Sequence, residues 1–331
     1  MERLLILGGT AWLGREVARQ AVAAGVAVTC LARGQSGPVA EGAVLVTSDR
    51  DRPDAYDEVR GRSWDSVIEV SWQPDHVRSA LEALADDAQQ WTYVSSVSAY
   101  SDLATPGRRE GSALVEPMTS GVATLLEYAQ AKSGCEALTD AVRRDHSLLA
   151  RVGLIGGPGD PTDRFGYWVS RFAQAARDSV LVPDAPDLVV QVVDVRDVAS
   201  FLLACAGRDV RGPVNVVGES VPFVDLVAES ARIAGFGGTV VPVSAEWLSE
   251  HQVQPWRGPR SLPLWLPLPD HAGLGRMSDA RALSLGLRRR PLGETLADVL
   301  ADERARGLER VRNAGLTRAE EVGLLAEVRS P

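Results

Sequence analysis

Tyr128 and Lys132 are the two residues whose types and spacing most clearly suggest chemistry. They lie four residues apart in a segment whose composition predicts a helix, so both side chains would lie on one face of it. A tyrosine hydroxyl has a pKa of about 10, too high for easy proton transfer at neutral pH. A lysine ammonium group on the same face favours the phenolate, so Tyr128 could accept or donate a proton.

A glycine turn near the start of the chain is the second feature with chemical meaning. Gly8, Ala11 and Gly14 occupy the three positions of a GxxGxxG pattern that follows an apolar strand. Gly8 allows a tight turn, a small residue at position 11 lets the backbone approach a pyrophosphate, and Gly14 allows close packing of helix on strand. The N–H groups and positive dipole of the helix N-terminus favour phosphates. A third segment, Tyr93–Tyr100, ends a predicted strand with three serines.

The elements that must position these residues alternate between strand and helix. Such alternation predicts an α/β fold with a doubly wound parallel Rossmann sheet and helices on both faces. The predicted strands are Leu4–Leu7, Val26–Leu31, Ala43–Val46, Ser66–Val70, Trp91–Val94, Ser147–Arg151 and Val214–Val217. The predicted helices are Trp12–Ala24, Pro53–Arg60, Asp75–Ala88, a long one from near Ser120 to Arg144, and a run that follows Asp194-Val-Arg-Asp197 and reaches Ala206. Glycines and prolines predict a loop over Gly153–Thr162, and five prolines exclude a long helix over 253–270.

In this order, the glycine turn, the serine-rich strand end and the Tyr128/Lys132 pair resemble the extended short-chain dehydrogenase/reductase superfamily, the NAD-dependent epimerase/dehydratase-like proteins. The resemblance covers residues 3–300. It implies a dinucleotide-binding core over 1–152 with returning elements near 188–218. It also implies a smaller substrate-binding or lid region over 153–187 and 219–331, which includes the C-terminal helices.

The resemblance also assigns roles to single residues. It implies that Lys132 holds the nicotinamide ribose and that Ser96, four residues before Tyr100, hydrogen-bonds the substrate oxygen, with Ser95 and Ser98 as alternatives. For any one of these serines, capping of a loop is the simpler role. The remaining cofactor contacts expected from the pattern are Thr10, Trp12, Leu13, Asp49 (beside adenine) and Ser71 (beside nicotinamide).

The end of the second strand distinguishes the two nicotinamide cofactors. An acidic residue there would bind the ribose 2′-hydroxyl, but the sequence has Leu31-Ala-Arg-Gly34. Because Arg33 can pair with a 2′-phosphate, NADP is favoured over NAD; a solvated surface arginine is the alternative.

Substrate would bind at the carboxyl ends of the strands, under the segments that follow Gly153 and those over 219–280. The candidate contacts are Trp72, Ser98, Phe165, Trp168 and Trp256. These aromatic residues predict a pocket for a largely apolar carbonyl or alcohol, with 255–269 as its mobile part; a lid that packs on itself is equally compatible with them. Arg164 and Arg257 could contact a diphosphate, but nothing in the sequence singles them out.

These observations predict an NAD(P)-dependent oxidoreductase that uses Tyr128 as acid/base. The alternatives are a nucleotide-sugar epimerase or dehydratase with tightly bound NAD and a non-catalytic cofactor-sensing protein. A dehydratase is disfavoured because Val97-Ser98, and not Asp-Glu, follow Ser96.

Composition narrows the classes of partner. A formal net charge of −9 argues against nucleic acid. Without an 18-residue apolar stretch, we expect no membrane association and a cytoplasmic protein with a small-molecule substrate, which could form a homodimer. The four histidines have no partners at metal-ligand spacing, so we expect no metal site. Cys30, Cys135 and Cys205 are expected to be buried thiols.

Overall fold

The structure is a computed structural model, which describes residues 1–328, apart from the side chain of Asp145. The strands are β1 (Arg3–Leu7), β2 (Ala27–Ala32), β3 (Val44–Thr47), β4 (Trp64–Glu69), β5 (Ala88–Ser96), β6 (Ser147–Val152), β7 (Leu154–Gly156), β8 (Ser179–Pro183), β9 (Val189–Asp194), β10 (Gly212–Val216), β11 (Ser220–Pro222), β12 (Thr239–Val243), β13 (Gln254–Trp256), β14 (Gly258–Pro259), β15 (Ser261–Pro263) and β16 (Ala314–Gly315). The helices are α1 (Trp12–Ala23), α2 (Pro74–Leu84), α3 (Tyr128–Arg143), α4 (Gly166–Ala175), α5 (Val195–Ala206), α6 (Phe223–Ala234), α7 (Ala245–Glu250), α8 (Ala280–Ser284), α9 (Leu292–Arg306) and α10 (Arg318–Val328).

Seven strands form the central sheet in the order β10-β6-β5-β4-β1-β2-β3, and all neighbours are parallel. The doubly wound Rossmann-type fold is therefore confirmed. Strand β1 is apolar and buried from Leu4 to Leu7 because both faces of the sheet are covered by helices. The chain reverses its direction of winding between β1 and β4, so a ligand crevice is expected at their carboxyl ends.

A second group of elements packs around its own hydrophobic core. It contains the three-stranded sheet β11-β9-β7, the pair β12-β8, and helices α4, α6 and α9. Large aromatic side chains on α4 and α6, among them Trp168, Phe172 and Phe223, fill this core. The division at residue 152 stays a prediction, although these clusters lie in the chain segments assigned to the substrate region.

Two predicted helices differ from the structure in type or extent. The segment Pro53–Arg60 forms successive turns and not a helix, and Gly61 follows it with a φ of +70°. The long helix begins at Tyr128 and not near Ser120, because both side-chain amide atoms of Gln73 bond the backbone of Ala123 and hold it outside the helix.

A third difference lies in the glycine-rich segment after β6. The sequence predicts a continuous loop there, but Leu154–Gly156 forms β7 and pairs with β9. Gly156 permits this pairing because a Cβ atom on it would lie 2.7 Å from Phe165 and from Val192. Close packing, and not turn formation, therefore explains this glycine.

Candidate active site

The glycine turn after β1 is packed so tightly that side chains are excluded from two of its positions. A Cβ atom on Gly14 would lie 2.4 Å from the carbonyl oxygen of Gly8, and Gly8 itself has a φ of +104°. Helix α1 starts at Trp12 with neither a side-chain cap nor an acidic residue in its first turn. The positive end of α1 is therefore open to an anion at the carboxyl edge of β1.

The remaining residues of the turn fix its position. Thr10 is buried, Ala11 and Leu13 are partly exposed, and the Trp12 indole donates a hydrogen bond of 2.9 Å to the carbonyl oxygen of Pro158. This bond joins the turn to the segment after β7. All six predicted residues of the turn therefore lie in one cradle, which fits the diphosphate of a dinucleotide.

Two arginines flank the loop that follows β2. Arg33 is exposed at the start of the loop, and the guanidinium of Arg15 lies 3.0 Å from the position that a Cβ atom on Gly37 would take. Sequence reasoning missed Arg15, although its place directly after Gly14 was a usable signal. Asp49 lies just after β3, and its carboxylate accepts the backbone N–H of Asp51. Its expected contact with adenine stays a prediction.

Lys132 lies at the centre of the catalytic candidates. The residue is 3% exposed, and its ammonium group donates to the carbonyl oxygens of Val94, at 2.6 Å, and Ser71, at 3.4 Å. Its nitrogen lies 5.9 Å from the centre of the Tyr128 ring. Because an ammonium group has three N–H donors, one remains for a ligand. The structure thus brings Tyr128, Lys132 and Ser71 together at the carboxyl ends of β4 and β5.

Trp72 covers the partly exposed Tyr128 ring. The two ring centres are 5.5 Å apart at an interplanar angle of 59°. Trp72 belongs to the turn between β4 and α2, which is held by a 2.7 Å hydrogen bond from the backbone N–H of Ser71 to Glu69. The Glu69 carboxylate is in turn paired with Arg50, and sequence reasoning missed this buried ion pair. The pair therefore holds the Trp72 turn in place through Glu69.

The serines at the end of β5 have different environments. Ser96 is 8% exposed, and its hydroxyl oxygen accepts the backbone N–H of Ser98 at 3.1 Å. Ser98 is partly exposed, whereas Ser95 is buried. Helix α3 packs against the 3₁₀ turn Val97–Ala99, so Ser96 lies beside the helix that carries Tyr128. Its expected contact with a substrate oxygen stays a prediction.

Two of the predicted substrate contacts have the surroundings of core residues, and their contact with a substrate stays a prediction. Phe165 and Trp168 are fully buried in the second core, and the Trp168 indole donates to the carbonyl oxygen of Pro263. Phe165 also lines a cavity of about 450 Å³, which none of Ser96, Tyr128 and Lys132 lines. The aromatic composition of this region therefore reflects core packing.

The proline-rich segment contains a buried stretch between two exposed ones. Ser261–Trp265 is buried in the second core, while Gln254–Arg260 is exposed or partly exposed and contains Trp256. The Trp256 ring packs against the guanidinium of Arg164, with 5.1 Å between the ring centre and Cζ. A mobile lid over 255–269 stays a prediction: residues 261–265 pack in the core, whereas residues 255–260 and 266–269 are exposed or partly exposed.

Other residues considered from the sequence make contacts that stabilise the fold. Asp194 caps α5 by accepting the backbone N–H of Arg196, and Asp197 pairs with Arg290. The three cysteines are free and buried, as predicted. Within residues 1–328, no group of three or more His, Cys, Asp or Glu side chains could hold a metal ion. Over the same range, none of the helices combines the length and apolarity needed to cross a bilayer.

Comparison with known proteins adds a fold-level likeness. No family model matches the chain, and no curated protein matches its sequence. Among solved structures, a candidate epimerase from Burkholderia cenocepacia J2315 is 21% identical with a TM-score of 0.70, over 92% of this chain and 98% of that one. A UDP-glucuronic acid 4-epimerase from Bacillus cereus, in complex with NAD, is 12% identical with a TM-score of 0.67, over 92% and 99%.

A third solved structure also has a similar fold at low sequence identity. The UDP-glucose 4-epimerase of Thermus thermophilus, in complex with NAD, is 17% identical with a TM-score of 0.64, over 92% of this chain and 100% of that one. These likenesses concern the fold, and they agree with the Rossmann-type architecture of the central sheet.

Proposed function

We propose that the protein is an NAD(P)-dependent oxidoreductase of the extended short-chain type. The observation that carries this proposal is the convergence of Tyr128, Lys132 and Ser71 at the carboxyl ends of β4 and β5, next to the uncapped α1 and its glycine turn. These elements adjoin the point where the sheet reverses its winding, the place where open α/β sheets bind ligands.

The residues present fit a nicotinamide dinucleotide. The turn from Gly8 to Gly14 and the start of α1 would hold the diphosphate, and the free N–H of Lys132 would hold the nicotinamide ribose. When bound, the cofactor supplies or accepts the hydride. Arg15 and Arg33 support NADP as the preferred form, since both flank the loop where a 2′-phosphate would lie and no acidic residue takes that place.

In the reductive direction, Tyr128 would give its hydroxyl proton to the carbonyl oxygen of the substrate as the carbonyl carbon gains the hydride. The C=O bond becomes an alcohol, and the phenolate left on Tyr128 is stabilised by the ammonium of Lys132. Ser96 would donate a hydrogen bond to the same oxygen. In the reverse direction Tyr128 takes the proton back.

A nucleotide-sugar epimerase is the second candidate, because solved proteins of the same fold are described as UDP-sugar 4-epimerases. The two activities differ in whether the cofactor ends the reaction oxidised or unchanged. A panel of carbonyl compounds with NADPH, followed by the absorbance of the reduced nicotinamide, and a panel of UDP-sugars, followed by chromatography, would separate them.

Tyr128→Phe tests the chemical assignment. It removes one hydroxyl, so we expect turnover to fall by about 10²–10⁴-fold while NADPH binding and thermal stability stay near wild type. Trp72→Phe provides a matched change in the ring that packs on Tyr128 and should keep most of the rate. A Tyr128→Phe protein with near wild-type turnover on a true substrate would show that another group transfers the proton.

A further inference from the structure

The guanidinium of Arg164 lies in a half-buried position without a carboxylate partner. Its Nε donates to the hydroxyl of Thr162 at 3.1 Å, and its Cζ lies 5.1 Å from the centre of the Trp256 ring. Among the described residues, no carboxylate oxygen lies within 4.0 Å of Arg164 or of Arg257. A buried cation without an ion-pair partner is unfavourable unless a ligand provides the charge.

The segment that leads to Arg164 is joined to the glycine turn, because the carbonyl oxygen of Pro158 accepts a hydrogen bond of 2.9 Å from the Trp12 indole. Burial lowers the pKa of Arg164, and the neighbouring Arg257 lowers it further, while Asp160 and Tyr128 act in the opposite direction. The nearby acid, Asp160, has its own bonds, since its carboxylate accepts the backbone N–H and the hydroxyl of Thr162.

Trp256 and Arg257 lie in a strained turn. The backbone of Trp256 has a φ of +72°, and the N–H of Arg257 bonds the carbonyl oxygen of Pro255 at 2.8 Å. A non-glycine residue at positive φ is unfavourable, and such strain is common where a side chain must be aimed at a ligand. The turn sets Trp256 on Arg164 and leaves Arg257 exposed beside it.

We propose that Arg164 and Arg257, with the Trp256 ring as one wall, form a subsite for an anionic group of the substrate, either a carboxylate or a phosphate. The inference rests on the proposed function, because it concerns the substrate on which Tyr128 acts. It replaces the expectation of a largely apolar pocket. The anion compensates for the desolvation of Arg164.

The test separates anion binding from turnover. Benzoate, phenyl phosphate and the neutral benzamide are titrated by calorimetry into the full-length protein, with and without NADP. We expect one of the two anions to bind about tenfold or more tightly than benzamide, the effect of a charge-assisted hydrogen bond. The preferred anion identifies the carboxylate or the phosphate.

Arg257→Gln, at an exposed position, should weaken anion binding by about tenfold and leave benzamide binding unchanged. Arg164→Gln should do the same, and if it does not fold, Arg257→Gln decides the question. Arg260→Gln is the matched control, since that arginine lies in the same segment but bonds the backbone of His251. Equal affinity for anions and benzamide, or an equal loss in Arg260→Gln, would overturn the proposal.

A kinetic comparison distinguishes failure of the subsite from failure of the proposed function. Reduction of 4-carboxybenzaldehyde and 4-carbamoylbenzaldehyde by NADPH is measured in the wild type and in Arg257→Gln. We expect KM to rise by about tenfold for the carboxylate alone, with kcat nearly unchanged. Anion binding without reduction of either aldehyde would contradict the oxidoreductase and still support the subsite. Reduction of both aldehydes with equal KM would contradict the subsite alone.

Discussion

The buried ion pair between Arg50 and Glu69 should be a main determinant of stability at the crevice. Its side chains are 9% and 0% exposed, and Arg50 makes two hydrogen bonds to the carboxylate, at 2.9 and 2.5 Å. Arg50 also donates to Tyr56 and to the carbonyl oxygen of His76. Arg50→Met keeps much of the side-chain volume but leaves the Glu69 charge buried and uncompensated.

The expected magnitude follows from this geometry. Breaking a buried pair by removal of one partner is unfavourable by about 3–5 kcal/mol. At about 2 °C per kcal/mol for a chain of this size, Tm should fall by about 6–10 °C. A second change, Glu69→Gln, removes the uncompensated charge and keeps an oxygen for the backbone N–H of Ser71. Arg50→Met/Glu69→Gln should therefore be more stable than Arg50→Met alone.

Thermal unfolding followed by circular dichroism and calorimetry measures these differences. Arg232→Met is the matched control, because it breaks the pair with Glu229, whose side chains are 69% and 30% exposed, and such pairs contribute less than about 1 kcal/mol. The reasoning is refuted if Arg50→Met loses no more stability than Arg232→Met. It is also refuted if the double variant is no more stable than the single one.

Two further predictions concern the cofactor and the thiols. Arg33→Ala and Arg15→Ala should each weaken NADPH binding by about 1–3 kcal/mol and leave NADH binding unchanged. Fluorescence titration with both cofactors measures this, and an equal loss of NADPH and NADH affinity in a variant would contradict it. Burial raises the pKa of Cys30 to about 12 and that of Cys135 to about 11. Both thiols should therefore resist Ellman's reagent at mildly alkaline pH until urea unfolds the protein, and rapid labelling of the native state would disprove their burial.

The cofactor half of the candidate site could be predicted because its determinants are local in the sequence. Gly8 and Gly14 act within one turn, and Tyr128 and Lys132 are one helical turn apart, so spacing alone is enough to bring each set together. Arg15 was missed although it lies next to Gly14, because its approach to Gly37 depends on how the loop after β2 folds back.

The substrate half could not be predicted in the same way, because its contacts join distant segments. Trp72 and Tyr128 are brought together only by the packing of the turn after β4 on α3. An aromatic residue in a loop-rich segment can either line a substrate pocket or pack in the core. Only the direction of its side chain distinguishes these two roles. Trp168 points into the core, whereas Trp256 supports Arg164.

This difference between the halves bears on how the site could acquire a substrate preference. The turn around Ser71 and Trp72 is held by the buried Arg50–Glu69 pair, so a change there alters stability as well as the crevice. Arg257, in contrast, is exposed and makes no ion pair within the described residues. Substitution at Arg257 can therefore change the charge presented to a substrate with little effect on the fold, which makes this position the natural one at which to redirect specificity.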